Sequence, residues 1–130
     1  MNTQGEAEGQ ISSNFSRFYS EMFGKGPKSI RVNSVNSIVV VISQNLLTSA
    51  EKLLVCSSVG CKMVKEVRQS LIDCHEKELV DIISNATGET IHNVHHDFST
   101  TNGEESFVFS LNGVPAYRLN NNGKKLAAIH

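Results

Sequence analysis

The sequence contains no tryptophan, two prolines and three cysteines, and aromatic residues make up 6% of its 130 positions. So few stacking side chains argue against a platform for single-stranded nucleic acid, which needs aromatic rings along a basic groove. Neither sign of charge is in excess. Lys and Arg number 12, Asp and Glu 13, for a net charge of −1. A polyanion-coating protein reads as strongly basic, so that class is set aside and no nucleic-acid partner is expected. No apolar run approaches the ~18–20 residues of a membrane span. Residues 1–10 are polar and acidic and lack a charged-then-apolar leader pattern, which predicts a cytosolic protein. The cysteines are Cys56, Cys61 and Cys74. An odd count suits a reducing compartment, and the C-x4-C spacing with no second pair is not a zinc knuckle. Small, slightly apolar thiols on helix faces are the expectation.

Catalytic signatures are also missing. There is no Gly-x-Ser-x-Gly, no His-Glu-x-x-His, no Walker loop and no dinucleotide fingerprint. Cys74 and His75 are neighbours, so on a helix they point ~100° apart and do not form a nucleophile–base pair. These absences predict a protein that is not an enzyme and carries no cofactor.

The hydropathy pattern is informative where the motifs are not. Ile11, Phe15, Phe18 and Met22 fall at steps of four, three and four, one stripe of an amphipathic helix over 6–23. Gly24 ends it as a left-handed cap, and Pro27 prevents continuation. Residues 29–34 alternate, and Ile38 to Ile42 is a β-branched run, so two strands joined by a short polar link read as a hairpin. Thr48-Ser49-Ala50-Glu51 is a capping box that opens a helix to about Cys56. A long helix over 59–86 follows, about 40 Å at 1.5 Å per residue. Met63, Val67, Leu71, Cys74, Glu78 and Ile82 keep its helical step, with Val64 and Leu79 flanking, and Gly88 stops it. Residues 90–99 and 105–111 flank Asn102-Gly103, which predicts a type I′ hairpin turn.

The order α-β-β-α-α-β-β predicts an α+β two-layer sandwich, an antiparallel sheet covered by a long helix. Residues 1–113 form one domain, and 114–130 an edge strand or flexible tail. The uncovered sheet face around Ile38–Ile42 and the surplus length of the long helix are the expected contacts of a homodimer.

Two clusters invite a site. His92, His95, His96 and Asp97 are the densest set of metal or acid–base groups. Strand alternation puts His92 and His96 on one face and His95 and Asp97 on the other, so an exposed histidine strand beside a turn is the plainer reading. Gly24-Lys25-Gly26-Pro27, with Lys28 and Arg31 nearby, offers backbone amides and cations to a small anion. A helix cap and turn explains the same residues. Arg31, Lys62, Lys65 and Arg68 form a basic stripe that Glu66 and Asp73 interrupt, as on a solvated helix face.

From Phe23 to Leu111 the chain resembles the MpsC-like family of small bacterial proteins. The matching pieces are Gly24-Lys25-Gly26-Pro27, Leu47-Thr48-x-x-Glu51-Lys52, Gly60 with Val64 and Val67-Arg68, Thr87-Gly88, the strand from Ile91 to Ser99, and Phe107-Val108-Phe109-Ser110-Leu111. The family is named for component C of a Na⁺-translocating membrane-potential-generating system. The resemblance implies an accessory protein of membrane proteins that move Na⁺ or take up inorganic carbon, with a membrane transport protein as partner. It carries over no catalytic residue. Arg68 matches the family pattern yet has no obligatory structural role on a helix face, so it joins the anion candidates or pairs with an acidic residue.

Overall fold

The structure, a computed structural model, describes residues 2–118. Helix α1 spans Gln4–Phe23. It starts on a capping box: the Thr3 hydroxyl accepts from the Glu6 amide at 3.1 Å, and the Glu6 carboxylate accepts from the Thr3 amide at 3.0 Å. Three members of the expected stripe, Ile11, Phe15 and Phe18, are buried and are joined by Ala7 and Tyr19, while the fourth, Met22, is half-buried at the edge of the core. Burying each of the phenylalanines contributes about 1.5–3 kcal/mol. Gly24 closes the helix at φ 72°, its amide bonded to the Ser20 carbonyl at 2.9 Å.

Strands β1 (Ser29–Val35) and β2 (Ile38–Gln44) form the first hairpin, and β3 (Ile91–Phe98) and β4 (Glu105–Leu111) the second. The sheet is antiparallel throughout, in the order β1-β2-β4-β3. The inward residues of the central strands are Val39 and Val41 of β2 and Phe107, Phe109 and Leu111 of β4, all buried against α1 and its neighbours. Phe15 meets Phe107 and Phe109 edge-on, at centroid distances of 5.6 and 6.2 Å.

Between the hairpins lie α2 (Ser49–Leu54), α3 (Ser58–Cys74) and α4 (Glu76–Thr87). The expected order of helices and strands holds, but the long helix is two segments. His75 leaves the helical region at φ −117°, ψ 17°. Its ring Nδ1 bonds the Leu71 carbonyl at 2.8 Å, the acceptor its own amide would use, and the amide turns to Ile72 at 3.0 Å. The ring packs edge-on against Phe18, and α4 swings onto α1. The surplus helix length expected at a dimer contact is therefore consumed within the chain. The buried face of α3 also differs from expectation. It is Gly60, Val64, Arg68 and Ile72, one residue on from Met63 and Val67, which are exposed.

The second hairpin is not a type I′ turn. Only Gly103 has positive φ, at 67°. Its amide reaches the Ser99 carbonyl at 3.0 Å, and its own carbonyl accepts from the Leu46 amide at 2.9 Å. A Cβ there would lie 2.9 Å from the Leu47 amide nitrogen, so both conformation and space require glycine. Residues 114–118 form no edge strand. They end in a 3-10 turn, Ala116–Arg118, tied down by Tyr117 on Ser34 and Arg118 on Gln4. Residues 119–130 of the segment expected as an edge strand or flexible tail lie outside the described residues. No helix among the described residues is long and apolar enough to cross a membrane.

Candidate functional site

Arg68 is the largest fully buried side chain among the described residues. Its Nε and Nη2 donate to the two carboxylate oxygens of Glu51 at 2.8 and 2.5 Å, and Nη2 also donates to the Leu46 carbonyl at 2.7 Å. The guanidinium lies between two rings, 3.8 Å from the Phe23 centroid and 4.9 Å from that of Phe98. Glu51 therefore serves twice. It caps α2 through the Thr48 amide at 2.9 Å and holds Arg68 in the core. Burial pushes its carboxyl up, but the Arg68 and Thr48 hydrogen bonds outweigh that, and the pKa is lowered from its ordinary 4.5.

A second chain of hydrogen bonds runs from the core to the surface. The Tyr19 hydroxyl donates to Glu105 at 2.7 Å, the other Glu105 oxygen meets His96 Nε2 at 2.6 Å, and His96 Nδ1 meets the Gln69 amide oxygen at 2.9 Å. Gln69 ends the chain by donating to Asp73 at 2.9 Å. Burial, and next the Glu105 carboxylate, push the Tyr19 phenol well above its ordinary 10. An acid with a raised folded pKa stabilises fully below its unfolded value, and that contribution falls as pH rises past it. Wild-type stability should therefore decline above pH ~10, and Tyr19→Phe should flatten that decline. At neutral pH the same variant should cost about 1–2 kcal/mol, because Glu105 loses a buried donor. Urea unfolding from pH 7 to 11 measures both; parallel curves for the two proteins would refute the assignment.

The histidine strand does not converge on a metal. A bulge between Ile91 and Asn93 shifts the register, so His92 does not share the inward face of Val94, His96 and Phe98 as alternation implied. His96 is committed to Glu105 and Gln69, His95 meets Asn93 at 3.2 Å, and Asp97 lies 3.5 Å from Lys65. Among the described residues no group of three His, Cys, Asp or Glu side chains could hold a metal ion.

The anion candidates are likewise dispersed. Gly24 is a helix cap, and Gly26 sits against the Ser20 hydroxyl. Lys25 donates to the Leu47 carbonyl at 2.8 Å. Lys28 borders a shallow depression with Gln44, Asn45, Asn102 and Glu104. Arg31 is exposed on the outer face of β1, and Arg68 is sealed in the core. The six residues do not surround one anion, and Arg68 takes the acidic-partner alternative.

What the surface does present is apolar. Leu53 is 78% exposed, Val59 69%, Val67 56%, Met63 51% and Leu54 43%. Val59, Met63 and Val67 step by four along α3, and α2 supplies the two leucines. Leu54, Met63 and Val67 of this set, with Glu51 and Val64, line a hollow of about 110 Å³. Small-molecule sites usually measure about 300–1,000 Å³, so the hollow suits one side chain of a partner. The inward face of α3 is Gly60, Val64, Ile72 and Arg68, the last held by Glu51, and Val59, Met63 and Val67 are left to face outward.

The family described as the Na⁺-translocating membrane potential-generating system (MpsC) matches residues 3–113. An uncharacterised protein of Bacillus subtilis (strain 168), YbcI, is 29% identical over 109 residues, which cover 84% of this chain and 88% of that relative. No solved structure matches significantly.

Proposed function

We propose that this chain, which belongs to the MpsC family, is a non-enzymatic accessory protein. It acts at the cytoplasmic face of a Na⁺-translocating membrane system, through protein–protein contact and as a homodimer. The observation that carries the reading is the exposed apolar stripe of α2 and α3. Isolated surface apolar residues are ordinary, but five large ones on two adjacent helices, three of them (Leu54, Met63 and Val67) lining a side-chain-sized hollow, support an interaction site. The partner that fits is a helix or loop of a membrane transport subunit, presenting an apolar anchor to the hollow beside Glu51. Such anchors carry most of an interface's binding energy.

The test is capture from solubilised membranes of cells that express the Na⁺-translocating system, using the full-length tagged chain. Wild type should retain a transport subunit. Met63→Glu with Val67→Glu should lose at least about tenfold of it, since a charge placed in a desolvated contact costs more than 1.4 kcal/mol. Both positions are more than half exposed in the free chain, so the fold should survive. Equal recovery by wild type and variant would rule out this surface as the partner contact.

A further inference from the structure

We infer that the outer face of the sheet is a self-complementary surface on which two copies of this chain meet, face to face about a twofold axis parallel to the strands. The inference rests on the homodimer reading above and locates its interface.

All the helices of the described residues serve one side of the sheet, and the core draws on that side alone. On the other side, register fixes which residues stand in line. Arg31 pairs with Ile42, Ile42 with Ser106, and Ser106 with Asp97, so one row crosses the four strands from a cation to an anion. The next outward row runs Asn33, Val40, Val108, His95. The middle of the face is apolar, with Ile42, Val40 and Val108 half-buried and Ile38 exposed. Its two edges carry exposed Arg31 on β1 and exposed Asp97 on β3.

A twofold axis parallel to the strands keeps each residue's height along the strand and exchanges the two edges. It sets Arg31 of one copy over Asp97 of the other, twice, and Asn33 over His95, twice. The apolar centres of the two faces then meet. An axis across the strands would instead lay β1 on β1 and leave both charges without a counterpart. Packed sheets cross at about 30°. Edge strands lie about 7 Å from the axis, so the crossing displaces them by roughly 3–4 Å, within the reach of an arginine. Asp97 remains available, because its contact with Lys65 joins side chains that are 72% and 57% exposed. Such surface pairs contribute little.

The face is about 20 by 25 Å, from four strands at ~4.8 Å and seven residues at ~3.4 Å. That is toward the small end of stable interfaces, so a dimer of micromolar strength that weakens with salt is expected.

The experiment is sedimentation of the full-length chain over a concentration series, with folding of each variant checked by circular dichroism. Arg31→Asp should weaken the dimer about tenfold or more, through two lost pairs and two new repulsions. The swap Arg31→Asp with Asp97→Arg should restore it to within a few fold, a rescue that damaged folding cannot imitate. Val108→Glu should abolish it. A dimer unmoved by these changes but dissociated by Met63→Glu would place the contact on α3, overturning this interface while keeping the homodimer. A wild type that stays monomeric overturns both. If a monomer's sheet face is also shielded from hydrogen exchange until residues 119–130 are removed, the occupant is the chain's own end.

Discussion

Glu51→Gln should lower stability by about 3 kcal/mol, because it strips the counter-charge from a guanidinium with no access to water. In a chain of this size that is a fall of roughly 10 °C in Tm. The reciprocal change should cost less. Arg68→Met leaves a carboxylate that is 15% exposed, still bonded to the Thr48 amide and able to draw on solvent. The methionine would also fill the slot between Phe23 and Phe98 with apolar surface. The double variant should therefore be more stable than Glu51→Gln alone, as when a buried ion pair is replaced whole. Acid supplies an independent check. The folded pKa of Glu51 is depressed below 4.5, so its contribution is present above that pH and is lost as pH falls through the folded value. Glu51→Gln should flatten the acid limb of the stability curve. A Glu51→Gln protein within 1 kcal/mol of wild type, with an unchanged acid limb, would mean that the pair does not hold Arg68 in the core.

This pair also explains where the sequence misled. Reading α3 by apolar residues alone puts Met63 and Val67 inward. The face that turns inward is one residue on and includes an arginine. Nothing within α3 marks Arg68 as buried, because the residue that makes its burial tolerable sits 17 positions earlier, on another helix. The capping box at Thr48–Glu51 was legible, but its carboxylate has a second task that local spacing does not encode. Glu105 differs, because a signal existed. Its strand alternates Glu105, Phe107, Phe109, Leu111 on one face, and period two alone places the glutamate inside. The same rule put His96 with Val94 and Phe98, as observed, and failed at His92 because a bulge adds one residue to the count. The Thr3–Glu6 capping box carries the same signature as the one at Thr48, yet the helix was expected to begin at Glu6. The break at His75 was hidden for another reason: histidine is an ordinary helix residue, and only its ring's competition for the Leu71 carbonyl ends α3 there.

What was read well is what local physics decides. The α1 stripe, the left-handed cap at Gly24, the stop at Gly88 and the pairing of both hairpins follow from periodicity and glycine placement, although the turn type of the second does not. The apolar stripe on α2 and α3 could not be read this way, since an exposed and a buried stripe look alike in sequence. Only the tertiary placement of Arg68 separates them.

Gly60→Ala is expected to have the largest effect of any glycine-to-alanine change among the described residues. Gly60 is the third residue of α3, just after the bend at Ser57 that joins it to α2, and its amide caps onto the Ser57 hydroxyl at 3.0 Å. A Cβ built there would lie 1.7 Å from the Leu54 carbonyl oxygen and 2.6 Å from its carbon. These are backbone atoms, so no rotamer change relieves the overlap. In a helix interior alanine is preferred to glycine by up to about 1 kcal/mol, so propensity alone predicts a gain. Sterics wins, because α2 must move away, and α2 carries the Glu51 that neutralises Arg68. The expected loss is about 3 kcal/mol or more, from overpacking together with a strained ion pair. Gly9→Ala is the matched control. Gly9 lies within α1, and a Cβ there meets nothing within 4 Å. It should raise stability by up to about 1 kcal/mol. Thermal unfolding of the two variants should thus move in opposite directions. If both shift upward together, α2 and α3 do not approach as closely as the structure places them, and the position of Glu51 over Arg68 falls with that contact.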